Sequence, residues 1–303
     1  MVEATVVALR WLQYGAAVVL LGTPLFLLYG FGRGSAAEDP ISARRILAGA
    51  ALAVAVFSLA GLIAQTAVMA GSIDEALKPA TLGFVVEGTA LGLAYVIRAA
   101  AAALTLVLLL LLSPGRRLWR LSALGGLVVV ASFAWTGHGA STEGPAGLFH
   151  LGADIVHAVA AAVWLGALAA LALVLARPRD DHRTHRALHD FAGVGTAAVA
   201  LLVATGLINS GFLIGPERLG ALFTSLYGQL LLLKLALFAA MVAVAARNRY
   251  RLTPALGAAL ERGGDAAPSI GRLRASVLAE AAMGAAVLLV VALMGTLAPP
   301  ASL

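Results

Sequence analysis

Eight apolar runs, each long enough to cross a bilayer as a helix and separated by short polar segments, leave this chain few ways to fold. They fall at about residues 5–31, 45–71, 84–112, 118–138, 147–176, 189–213, 226–246 and 274–297. Within each run the apolar residues are continuous and do not alternate with the two-residue period of a barrel strand. Hydrocarbon tolerates no unpaired backbone, so each run predicts a transmembrane helix. The fold class is all-α, a polytopic transmembrane helix bundle. No intervening segment is long enough for a soluble domain, so residues 1–303 read as a single integral membrane domain. Composition agrees: 61% of residues are hydrophobic, 12% are charged and the mean hydropathy is +0.95, outside the soluble range. The first run lacks a cationic start and ends in a basic loop, so it is read as a first helix and not as a cleaved leader.

The basic residues orient the bundle. Of the 21 Lys and Arg, 16 fall in the segments after the first, third, fifth and seventh runs, among them Arg33, Arg44, Arg116, Arg177, Arg186 and Arg249. By the positive-inside rule these segments face the cytoplasm and both termini lie on the outer, periplasmic side. The net charge of +6 reports this asymmetry and contact with anionic lipid headgroups, and gives no argument for nucleic acid.

The outer segment and the fifth run hold an unusual set of polar residues, in "GHGASTEGPAGLFHLGADIVHAVAAAVWLG", residues 137–166. His138 ends the fourth run, and His150, Asp154 and His157 follow at spacings of four and three, which places all three on one helical face. Continuing that face leads to Ala161 and Trp164. At 1.5 Å rise per residue, His150 to His157 covers roughly 10 Å, too far for both to share one ion easily. The spacing favours an adjacent pair joined by His138 or by another helix, or a ladder that hands an ion inward. Asp154 would bind directly or fix the tautomer of a neighbouring imidazole. Ionisable side chains are costly in hydrocarbon, so this grouping points to function. The pattern alone is compatible with copper, zinc, haem or protons.

Other intramembrane polar residues are candidates for a polar path or for locking helices together: Glu87, Arg98, Lys234 and Glu280, with Asp154 or Glu87 expected to pair with Arg98 or Lys234. Asn209 and Gln229 are weaker candidates. Met69 and Met294 lie at a depth where either could add a soft ligand, although core or lipid packing accounts for both. His182, His185 and His189 lie in the polar stretch "RPRDDHRTHRALHD", read as a solvated cytoplasmic loop. The segment from Arg247 to Arg274 reads as a flexible connector with a basic, lipid-facing surface. The chain has no cysteine, which excludes thiolate cages and CxxC delivery motifs, and it shows no phosphate-binding loop.

The strings "TGHGA", "HLGADIVHAVAAAVWLGAL", "TSLYGQLLLLKLALFAAMVAVAARNRYRLTP" and "LRASVLAEAAMGAAVLLVVALMGTLAPP" resemble the CopD family of copper resistance membrane proteins. The resemblance is best over about residues 120–300, the first three helices matching only in hydropathy and topology. It implies a non-enzymatic protein that handles or transports copper across the bacterial cytoplasmic (inner) membrane, with His138, His150, Asp154 and His157 as metal ligands. It also implies a periplasmic CopC-like copper-binding partner, here as a separate polypeptide. One departure stands after Trp164, where the family tends to carry two glycines and this chain has Gly166 and Ala167. The favoured direction is uptake from the outer face. Binding needs neutral imidazole and should weaken below about pH 6. The alternative is an electron-transfer protein in which two histidines hold a b-type haem; only His157 lies well inside a helix, whereas such a site needs two.

Overall fold

The computed structural model describes residues 2–30, 43–137, 140, 142, 144–176, 181–263 and 265–302. Its described elements are all helical, and eight helices are long and apolar enough to span a membrane. They are α1 (Val2–Gly30), α2 (Ala43–Ala70), α3 (Ala90–Leu111), α4 (Arg116–Ala131), α5 (Gly144–Leu175), α6 (Asp181–Ile214), α7 (Leu226–Arg247) and α8 (Ala267–Met294).

The boundaries depart from expectation where local chemistry intervenes. The third run is broken: a short helix, Pro79–Gly88, stops before Thr89, whose extended backbone starts α3 and whose hydroxyl accepts from the Gly92 N–H at 2.9 Å. A β-region residue with a side-chain oxygen is a strong helix start. α4 tightens after Ala131 into a 3-10 turn, Ser132–Thr136. The stretch read as a loop around His182–His189 is instead the first part of α6. Residues 181–192 contain no Gly or Pro and include the good helix formers Arg183, Arg186, Ala187, Leu188 and Ala192, so helix propagates through their charge. The expected connector after Arg247 is also largely helical, through a π-helical turn, Asn248–Leu252, and a helix, Thr253–Glu261. Pro254 sits in that helix's first turn, where its missing N–H costs nothing.

α1 is the hub, packing against α2, α4 and α5 and more lightly against α8 and α6. In lipid such contacts depend on close approach of backbones at small residues. A Cβ added at Gly22 would sit 2.7 Å from the Gly166 Cα, and one added at Gly166 would sit 2.6 Å from the Gly22 Cα. These two glycines therefore set the α1–α5 crossing. The departure noted after Trp164 leaves the needed glycine in place, and Ala167 is fully buried beside it. Gly126 of α4 makes a comparable approach to the backbone of Leu20 and Leu21. The core around α1 includes Phe26, Trp119 and Trp164. α7 packs chiefly on α8 and is the least buried of the eight.

Candidate metal pathway between the fifth and sixth helices

α5 and α6 pack closely side by side, and the polar face of α5 meets a matching face of α6. His150 is buried; its Nδ1 lies 2.9 Å from the Thr142 hydroxyl and its ring stacks on Phe212 with centroids 4.5 Å apart. One turn on, Asp154 accepts a hydrogen bond from the Asn209 side-chain amide at 3.3 Å. His157 Nδ1 lies 2.9 Å from the Thr205 hydroxyl. Positions 150, 154 and 157 thus run opposite 212, 209 and 205, the same four-and-three spacing read in reverse. Antiparallel helices meeting along one face produce this register.

The Thr205 contact fixes a tautomer. Thr205 Oγ1 donates its one hydrogen to the Leu201 carbonyl at 2.6 Å, so it can only accept from His157. His157 Nδ1 therefore carries the proton, and the Nε2 lone pair is left for another partner. Outer partners that fix a ligating imidazole in this way are a general feature of metal sites. Gly206 lies against the same ring: a Cβ there would be 3.6 Å from His157 Cε1. Asn209 is buried and its amide oxygen has no hydrogen-bond partner among the described residues.

His138 lies outside the described residues. Gly137, which precedes it, is close to Asp154, such that a Cβ on Gly137 would sit 3.9 Å from Asp154 Oδ2. Lys234 of α7 faces both Asp154 and His157 at Coulombic range, and no direct ion pair joins it to either among the described residues. Among the described residues no three His, Cys, Asp or Glu side chains gather closely enough to form a metal cage. Along α5, Asp154 and His157 each present a donor atom beside a neutral hydrogen-bond partner, Asn209 and Thr205.

The remaining polar candidates are arranged differently from expectation. Arg98 pairs with neither Asp154 nor Glu87. It is buried and donates from Nε to Ser132 Oγ at 2.9 Å, from Nη1 to Gln13 Oε1 at 2.9 Å, and from Nη2 to the Ser132 carbonyl and Thr136 Oγ1, each at 3.1 Å. Its guanidinium also stacks over Phe133 at 3.8 Å. Five N–H groups can be satisfied by neutral acceptors when the fork is enclosed by them, so no carboxylate is required. Glu87 is exposed on the short helix before Thr89, because the third run breaks there. Glu280 is buried and accepts from Trp164 Nε1 and from Asn248 Nδ2, each at 3.1 Å. Met69 is exposed, and Met294 is buried with Tyr227 and Leu231. His185, His189 and Asp190 line an open cavity of about 650 Å³ with Arg249 and Tyr250; His189 and Asp190 stand 3.6 Å apart there.

Sequence reasoning ranked Asn209 low and overlooked Thr205 and Phe212. The available signal was their spacing in "ATGLINSGF", which repeats that of the α5 stripe on the next helix.

The architecture defines a multi-pass membrane protein with a line of imidazole and carboxylate donors between two of its helices. Comparison with known proteins gives that class its family. Residues 1–148 match the model described as copper resistance protein D-like, N-terminal domain, and residues 185–294 match copper resistance protein D. Copper resistance protein D of Pseudomonas syringae pv. tomato is 38% identical over 309 residues, covering 97% of this chain and 96% of the relative. Inner membrane protein YebZ of Escherichia coli (strain K12) is 30% identical, covering 99% of this chain and 100% of the relative. Copper transport protein CutJ of Bacillus subtilis (strain 168) is 31% identical over 78% of this chain, which spans 44% of that longer protein. No solved structure matches the chain. The chain belongs to the copper resistance protein D (CopD) family, and copper handling is the theme of that family. The likeness extends through the first three helices, further than hydropathy alone implied. Most of α5, with Asp154 and His157, lies between the two matched stretches.

Proposed function

We propose that this protein is a copper carrier of the inner membrane that takes the ion up at the outer face and passes it inward along α5. His138 and His150 capture the ion, Asp154 receives it, and His157 holds it furthest in. The protein acts as a carrier and not as an enzyme, and a CopC-like protein is the partner expected to deliver copper to the outer face. The observation that carries this reading is the ready lone pair on His157 Nε2, held half-buried within a span by the Thr205–Leu201 hydrogen-bond chain. Imidazole is a good ligand for copper, and a carboxylate next to it suits the divalent ion. A succession of incomplete sites is also what passage requires, since an ion bound too fully at one point would not leave. The names of the Pseudomonas and Bacillus relatives support copper as cargo, and that of the Escherichia relative supports the inner membrane.

Copper accumulation by cells expressing the full chain, or by vesicles containing it, tests the proposal. Uptake should fall to the background of empty membranes for His157→Ala, with the variant still inserted and present in wild-type amount. Undiminished uptake in that variant would overturn the ladder.

A further inference from the structure

The face that carries His150, Asp154 and His157 continues along α5 to Trp164, and Trp164 hands the polar line to another helix. Its indole N–H donates to Glu280 Oε1 of α8 at 3.1 Å. The other carboxyl oxygen accepts from Asn248 Nδ2, at the start of the π-helical turn after α7. Glu280 is 1% exposed, and both partners that touch it are neutral. Of the charged groups on the elements packed around α8, Arg247, Arg251 and Glu261 make no hydrogen bond or ion pair with Glu280 among the described residues, and three others face other groups. Arg10 of α1 donates to the Gly295 carbonyl, Lys234 of α7 faces Asp154, and Arg249 of the π turn donates to the Ala192 carbonyl at 3.2 Å. Glu280 takes part in no ion pair among the described residues.

Two further oxygens at this place have no hydrogen-bond partner among the described residues: Asn248 Oδ1, on the amide that binds Glu280, and Ser276 Oγ, one turn before Glu280 on α8. Ser276 is 7% exposed. Buried polar atoms are rarely left unpaired, and the Asn248 amide oxygen, a pure acceptor, has room for a hydrogen, while the Ser276 hydroxyl can either accept or donate one. The residues that follow Asn248, Arg249, Tyr250, Thr253 and Pro254, line the open cavity of about 650 Å³, which brings water close to the π turn. Single π turns inside helices recur at functional positions.

We propose that Glu280, with Asn248 and Ser276, is a proton-binding site, loaded and emptied through this cavity from the arginine-rich end of the bundle. A metal ion does not fit the arrangement. Each carboxyl oxygen already faces an N–H, and among the described residues no three His, Cys, Asp or Glu side chains gather to hold a metal. A proton needs only a lone pair: Glu280 as the acid donates its O–H within the Asn248 and Ser276 oxygens, and as the carboxylate it has released that proton to water in the cavity. The site's part in moving copper rests on the carrier reading, but proton binding itself is read without copper.

Infrared difference spectra of the purified full chain between acid and alkaline buffer, together with tryptophan emission across the same range, test it. The expected result is a protonated-carboxyl C=O band that disappears with rising pH and is lost in Glu280→Gln. An emission change with the same midpoint should be absent from Trp164→Phe, which keeps the infrared band. A wild-type spectrum without a titrating carboxyl band overturns the proposal, as does a band that survives in Glu280→Gln. Should Glu280→Gln fail to fold, the wild-type and Trp164→Phe spectra still decide, since a common midpoint in band and emission supports the site and an emission change independent of the band overturns it. Copper uptake that fails in wild type while the band titrates would refute the carrier reading and leave the proton site standing.

Discussion

Two polar groupings lie inside this bundle, and they are finished to different degrees. Around Arg98 each nitrogen is engaged: the guanidinium makes four hydrogen bonds, Ser132 Oγ donates to the Val129 carbonyl at 2.6 Å, Thr136 Oγ1 donates to the Phe133 carbonyl at 3.0 Å, and Gln13 Nε2 donates to the Phe57 carbonyl at 3.0 Å. That knot ties α1, α2 and α3 to the 3-10 turn after α4. Between α5 and α6, by contrast, Asp154 and His157 each make one hydrogen bond to a neutral side chain among the described residues. His157 keeps a lone pair, and the Asn209 amide oxygen has no partner among the described residues. A buried polar network with every valence closed specifies structure, whereas one with open valences at one-turn intervals is available to a passing ligand.

This contrast can be broken at either end. The largest stability effect belongs to Arg98→Met, which leaves the acceptors of the knot without donors in the membrane. Charge-assisted hydrogen bonds of ~1.5–3 kcal/mol each are lost, so destabilisation of about 3 kcal/mol or more is expected, measured as a collapse of the thermal transition in detergent. A fold that tolerates this change would show that the knot is not structural. Thr205→Val should do the reverse, leaving stability within about 1 kcal/mol while weakening copper binding about 10–100-fold, because the imidazole loses the partner that fixes its tautomer. Equilibrium copper titration of the purified variant checks this, and unaltered affinity would detach Thr205 from the site. The smallest effect is expected from replacing His182, His185 and His189 together by Ala. Copper accumulation should stay near wild type, since no metal cage forms among the described residues there. A complete loss of uptake would place a required ligand in the inner cavity.

The contrast also explains what could be read from the chain alone. The eight spans were legible because bilayer thickness imposes their length, and the α5 stripe was legible because ionisable residues stand out against alanine and leucine. The α6 face opposite the stripe was hidden, since Thr205 and Asn209 are ordinary residues whose meaning depends on which face meets α5. The Arg98 knot was misjudged for a related reason. A cation in a membrane helix suggests a carboxylate partner, but its acceptors came from residues 13, 132 and 136, distant in sequence and uncharged. Helix ends erred where charge was taken for loop, as at His185 and Arg249, although neither segment contains a strong breaker of helical backbone at those positions.

The most direct test of the central claim is metal analysis of the detergent-purified protein, with a visible absorption spectrum, for wild type and His157→Ala. The account predicts about one equivalent or more of copper in wild type, no Soret band, and loss of copper in a variant that keeps the wild-type thermal transition. A strong Soret band altered by the substitution would mean that the histidines hold haem, and copper retained in full by His157→Ala would remove the metal from α5.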